Sequence, residues 1–137
     1  MALAGGPKLI VADEPTTNLD VTIQLQYLEL LKELQDQTGV ALIFVTHNLG
    51  IVAKMCNQIA VMYAGKIVEQ GTTRDIFNQP QHPYTDALLK SIPVLGNKDP
   101  LYVIPGQPPN LAEPPNGCLF HPRCPKADQR CRVEHPP

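Results

Sequence analysis

The chain has 137 residues, 11 Lys plus Arg against 13 Asp plus Glu, a formal net charge of -2 and 43% hydrophobic content. That is one domain's worth of chain, and its charge balance excludes a broad basic footprint, so nucleic acid is not an expected partner. No apolar run reaches the roughly 18 to 20 residues of a membrane span and no export signal follows Met1, so a cytosolic chain is expected, whose four cysteines point to metal ligands or buried thiols rather than disulfides.

Gly5-Gly6-Pro7 reads as a turn leading into Lys8-Leu9-Ile10-Val11-Ala12, an apolar run without alternation that suits a strand buried on both faces. The run stops at Asp13-Glu14-Pro15. Ile23, Tyr27, Leu30, Leu31 and Leu34 then recur at helical spacing, with Asp20 as N-cap and Gly39 in the C-cap position, which predicts a helix from Val21 to about Gln37. Ala41-Leu42-Ile43-Phe44-Val45 predicts a second buried strand, ending at Thr46-His47-Asn48. Strand, helix and strand of these lengths make a βαβ unit with parallel strands. Leu49, Ile51, Val52, Met55 and Cys56 suggest a short helix. Gln58 to Tyr63 and Lys66 to Glu69 read as a hairpin around Ala64-Gly65. Pro83 suits a first helical turn, Ala87, Leu88 and Ile92 offer an apolar face, and Pro93 ends that helix. Proline is strongly skewed: 11 of the 15 lie from Pro93 onward. Backbone donors are missing there too often for long helices or central strands, so an α/β core is expected to give way to an irregular extension.

Parallel strands end on one edge of their sheet, and open α/β sheets bind ligands at that edge. Asp13, Glu14 and His47 therefore converge. Proline at 15 is expected to keep Glu14 extended at the strand end. Mg²⁺ is typically held by one or two carboxylates plus phosphate oxygens, a role open to Asp13. Glu14 could accept a proton from an attacking water, and His47 could donate to a phosphate oxygen. The alternative is a solvated Asp-Glu-Pro turn, with His47 capping the next helix.

LIVADEPTTNLD at Leu9 to Asp20, followed by FVTHNLG at Phe44 to Gly50, resembles the second half of an ABC-transporter nucleotide-binding domain: Walker B strand, D-loop and H-loop. The resemblance implies that Asp13 helps to hold Mg²⁺ beside ATP, Glu14 is the catalytic carboxylate, Asp20 lies in the D-loop at a dimer interface and His47 touches the γ-phosphate. Asn18 stands where many relatives carry Ala or Ser, a departure expected to be mild. MYAGKIVEQG resembles the corresponding hairpin of these ATPases. Asp75-Ile76-Phe77, then Pro80-Gln81-His82-Pro83-Tyr84-Thr85 and Ala87-Leu88-Leu89, resembles the oligopeptide and dipeptide importer ATPases, with His82 expected to be an ordinary turn residue. The implied fold is α/β, a partial P-loop NTPase core over 1–79 with a Pro/Cys-rich extension over 80–137. The implied partners are a second ATPase subunit, as homo- or heterodimer, transmembrane permease subunits and, through the complex, an extracytoplasmic peptide-binding protein. That places the chain peripherally on the cytoplasmic face of the membrane.

A P-loop needs G-x-x-x-x-G-K-[ST], and Gly65-Lys66 does not fit it. LSGGQ is missing as well, although Met1-Ala2-Leu3-Ala4 resembles the helix that follows that signature. The chain thus reads as the later part of a longer ATPase, inactive by itself. Cys118, Cys124 and Cys131 resemble the extension of the peptide-importer ATPases, some of which carry a [4Fe-4S] cluster. Three thiolates could hold such a cluster or Zn²⁺, with His121 or His135 as a fourth zinc ligand. With so few apolar neighbours, only Leu119, Phe120 and Val133, a metal is the expected source of order in the tail. Cys56 is expected to be a buried small hydrophobe outside that group. Two other readings remain: an ABC ATPase of DNA repair or chromosome maintenance, and a metal-binding chain without enzymatic activity.

Overall fold

A computed structural model describes residues 5–93, 96 and 100–135. The resemblance drawn for Met1 to Ala4 lies outside the described residues. The chain divides into two compact units, Met1–Asn57 and Gln58–Pro137.

The first unit runs β1 (Leu9–Asp13), α1 (Val21–Thr38), β2 (Ala41–Val45) and α2 (Leu49–Met55). The two strands pair in parallel, with Leu9 opposite Ala41 and Asp13 opposite Val45. Both helix ends follow from their capping chemistry. Asp20 Oδ1 accepts from the N–H groups of Thr22 and Ile23, each at 3.0 Å. Gly39, at φ +67, supplies the left-handed residue that ends α1, and its N–H reaches Gln35 O. Leu28 and Leu31 are buried, whereas Ile23 and Leu30 of the predicted stripe are exposed. The inward face is therefore rotated toward Leu28.

Burial on both faces of the strands is not found. Leu9, Val11, Ile43 and Val45 are 48 to 60% exposed, while Ile10, Ala12, Leu42 and Phe44 between them are buried or half-buried. Alternate residues of a strand point to opposite faces, so one face of the pair is at least half-buried and the other is bare. The apolar composition announced a doubly covered sheet; among the described residues the face of Leu9, Val11, Ile43 and Val45 is left exposed.

The second unit opens with β3 (Gln58–Tyr63) and β4 (Lys66–Thr72), an antiparallel hairpin. Ala64 and Gly65 both have positive φ, +49 and +80, the requirement of a two-residue turn that matches strand twist. The pairing register shifts between Val61 and Met62, and Ile59, Val61 and Tyr63 face inward. Helix α3 (Thr73–Asn78) follows directly, then α4 (Pro83–Lys90), with Pro83 in its first turn.

Among the described residues after α4, regular structure is limited to two 3-10 turns, His121–Arg123 and Arg130–Arg132. They are tied by the Cys118 N–H, which donates to Cys131 O at 2.9 Å. Gly117 makes this approach possible, since a Cβ there would sit 2.5 Å from that same carbonyl. The tail has a core, contrary to expectation. Phe120 is 1% exposed, and Cys118, Leu119 and Tyr63 are buried with it. Its ring lies 5.2 Å from Tyr63, edge to face, and 5.4 Å from Tyr84, while Tyr63 and Tyr84 are 4.6 Å apart. Arg123 crosses the cluster: Nε donates to Pro105 O at 2.9 Å, Nη2 to Ile104 O at 3.0 Å and Nη1 to the Tyr63 hydroxyl at 3.2 Å. Phe120 and Leu119 are few, but the hairpin and α4 supply the other half of the aromatic core. No helix among the described residues is long and apolar enough to cross a membrane.

Candidate functional site

The carboxyl ends of β1 and β2 bring Glu14 and His47 together across 33 positions of sequence. His47 Nδ1 lies 2.7 Å from Glu14 Oε1, and the His47 backbone N–H donates to the same oxygen at 3.1 Å. The second carboxylate oxygen, Oε2, accepts from the Thr17 hydroxyl at 3.0 Å. The His47 hydrogen bond holds the Glu14 carboxyl below the ordinary carboxylate range; desolvation pulls upward, and Thr17 adds to the lowering. Glu14 is thereby kept as a carboxylate. A carboxylate only accepts, so Nδ1 is the donor in the pair.

Glu14 is not extended, as the following proline predicts, but left-handed at φ +43. Its N–H continues the ladder to Val45 O at 2.8 Å, and its own carbonyl accepts from Thr17 N–H at 3.1 Å. Those bonds, with the three to its side chain, offset a conformation that costs a non-glycine residue about 1–3 kcal/mol. Strain of this kind clusters at functional sites. Asn18 is also left-handed, at φ +68, a region that asparagine tolerates better than alanine or serine.

Capping of α2 falls to Asn48, whose Oδ1 accepts from Gly50 N–H at 3.0 Å and Ile51 N–H at 3.3 Å. His47 is left to Glu14, with its side chain 83% exposed. Asp13 ends β1, exposed, and among the described residues nothing hydrogen-bonds its carboxylate. A free carboxylate at this edge suits a hard cation that keeps most of its waters. Asp20 caps α1 through one oxygen. Thr17 is the residue that sequence reasoning passed over; its hydroxyl, three positions after the Glu14 carboxylate, was the signal.

The tail cysteines are a different matter. Cys118, Cys124 and Cys131 are thiols of the second unit, yet among the described residues no group of three or more His, Cys, Asp or Glu is placed to hold a metal ion. Cys118 is buried with Phe120, and its Sγ lies 3.9 Å from His82 Nε2. Burial pushes the Cys124 thiol up, with Cys118 and Cys131 adding to the rise. His121 spends Nδ1 on the Cys118 carbonyl at 2.9 Å. The [4Fe-4S] cluster and the zinc site expected from the sequence thus find no support among the described residues, where Cys118 is buried and Cys124 and Cys131 are half-buried against the Phe120 cluster. Cys56 is half-buried in the first unit, its thiol pushed up by burial.

His82 is more than a turn residue. It is 8% exposed, and Nδ1 accepts from Tyr84 N–H at 3.1 Å as the N-cap of α4. Glu69 accepts from the N–H groups of Gln81 at 2.7 Å and His82 at 3.0 Å, which clamps the QHP turn to the hairpin.

Comparison with known proteins finds relatives along nearly the whole chain. Residues 68–131 match the family described as oligopeptide/dipeptide transporter, C-terminal region. The dipeptide transport ATP-binding protein DppD of Escherichia coli (strain K12) is 53% identical over 137 residues, covering 99% of this chain and 42% of that one. The oligopeptide transport ATP-binding protein OppD of Haemophilus influenzae is 52% identical over 134 residues, covering 97% of this chain and 42% of its own. A solved structure, CbiO1 of Clostridium perfringens, part of an ABC transporter complex, aligns at a TM-score of 0.49 and 34% identity over 53% of this chain and 29% of its own. The chain thus spans less than half the length of the curated relatives it matches, and it resembles them from end to end.

Proposed function

We propose that this chain, a relative of the ATP-binding proteins of dipeptide and oligopeptide importers, contributes the Walker B, D-loop and H-loop part of an ATPase that drives peptide import. Residues 1–79 form the later part of the nucleotide-binding domain and 80–137 the extension. Its partners are a second ATPase subunit and the permease subunits, with a peptide-binding protein reached through the complex, on the cytoplasmic face of the membrane. The match over 68–131 and the names of the relatives favour peptide import over DNA repair or chromosome maintenance.

The Glu14–His47 pair is the observation that carries the reading. In it, Asp13 would hold Mg²⁺ together with ATP phosphate oxygens, and the ion would supply charge stabilisation at the phosphates. Glu14, kept ionised, takes the proton of the attacking water. His47 orients Glu14 through Nδ1, which leaves Nε2 to meet the γ-phosphate; with Nδ1 already donating, Nε2 would donate only when the ring is an imidazolium. Asp20 sets the D-loop by starting α1.

The test is Glu14→Gln in an ATPase that carries these residues together with a Walker A loop and an LSGGQ signature. The amide keeps the size and loses the proton acceptor, so ATP binding should persist while turnover falls by about 10²-fold or more. Near-normal turnover would reassign Glu14 to a structural role.

A further inference from the structure

The Glu14 carboxylate has two oxygens that are not equivalent. Each offers about two lone-pair directions. Oε1 accepts twice, from the His47 backbone N–H and from Nδ1. Oε2 accepts once, from Thr17 Oγ1 at 3.0 Å. One acceptor direction therefore remains, and it is on Oε2. The Thr17 bond is also the only one among the described residues made to Oε2, since His47 reaches just the other oxygen.

We propose that Oε2 is the atom of Glu14 that takes the water proton, and that Thr17 is the residue positioning it. This rests on the reading of Glu14 as the base. The O–H bond of the attacking water breaks as its oxygen bonds to the γ-phosphorus, the bond from that phosphorus to the β,γ-bridging oxygen breaks and ADP leaves with the electron pair, and the proton passes to the open lone pair of Oε2, leaving Glu14 as the neutral acid. Thr17 neither gives nor receives that proton. Its hydroxyl turns Oε2 toward the incoming water and holds Oε1 against His47. The local chain is shaped for this: Glu14 at φ +43 and the Thr17 N–H to Glu14 O bond at 3.1 Å close the turn that brings residue 17 back over residue 14. Thr17 is exposed, so its hydroxyl is not recruited by core packing.

The experiment compares Thr17→Ala, Thr17→Val and Thr17→Ser in the same ATPase, beside Glu14→Gln. Misdirection of a reacting atom lowers the chemical step; loss on the order of tenfold in kcat, with the KM for ATP within about twofold, is expected for Ala and Val. Serine keeps the hydroxyl and should restore most of the rate. Adding Thr17→Ala to Glu14→Gln should cost nothing further, because the two act as a unit. Collapse in Glu14→Gln with normal kcat in both Ala and Val would overturn the Thr17 proposal alone, as would a serine variant as slow as alanine. A Glu14→Gln enzyme that turns over normally would remove the base reading and this proposal with it. Should Val destabilise the turn, Ala at this exposed position decides the matter, with thermal melting as the control.

Discussion

His82 shows how much one side chain can carry when packing and capping coincide. Its ring is 8% exposed and 5.9 Å from Phe120, and it caps α4 through an unprotonated Nδ1. Burial pushes the imidazole below its ordinary value of 6.5, against the opposing pull of Glu69. The unfolded chain therefore takes up a proton first as pH falls, so the contribution of His82 to stability is complete above about 6.5 and is lost as pH falls through the folded value. We expect the unfolding midpoint of the second unit to drop between about pH 7.5 and 5, and a His82→Gln variant to show a flatter profile. Parallel profiles for the two proteins would exclude His82 as the source. The sequence shows His82 between Gln81 and Pro83 and thus in a turn. It does not show burial, because the residues that bury it, Phe120 and Cys118, arrive almost forty positions later.

Elements were legible where their signals are local. Asp20, Gly39 and the flanking apolar runs mark β1, α1 and β2, and Ala64-Gly65 marks the hairpin turn. Helix α3 was legible as well and went unread: Thr72 Oγ1 accepts from Asp75 N–H at 3.1 Å and donates to Asp75 Oδ2 at 2.7 Å, a capping exchange written as Thr-x-x-Asp. The meeting of Glu14 and His47 could be read because parallel pairing follows from the βαβ order. The tail's core could not, since its partners Tyr63, Tyr84 and Phe120 share no periodicity. Removal of a fully buried aromatic side chain costs about 3–5 kcal/mol, so Phe120→Ala should lower the melting temperature of the second unit and weaken its near-ultraviolet tyrosine signal. Dialysis against a strong chelator should leave that signal unchanged. The chain has no Trp and four Tyr, which makes the reading direct. A signal that survives Phe120→Ala but vanishes on chelation would return the ordering of the tail to a metal.

Across the whole molecule, chemistry and architecture are unevenly provided. The carboxylates and the histidine are present, whereas the sequence holds no Gly-rich phosphate cradle with its lysine. Phosphoryl transfer depends mostly on positioning and charge stabilisation around the phosphates. The purified 137-residue chain is therefore expected to show no ATP turnover above background in a phosphate-release assay; turnover abolished by Glu14→Gln would contradict this. The bare face of Leu9, Val11, Ile43 and Val45 bears on handling the protein at the bench. A two-stranded sheet with an apolar side and open edges is a template on which further copies can stack. The purified chain is therefore expected to self-associate as its concentration rises and to be dispersed by dilution or mild detergent, which light scattering over a dilution series checks; scattering independent of concentration would rule this out.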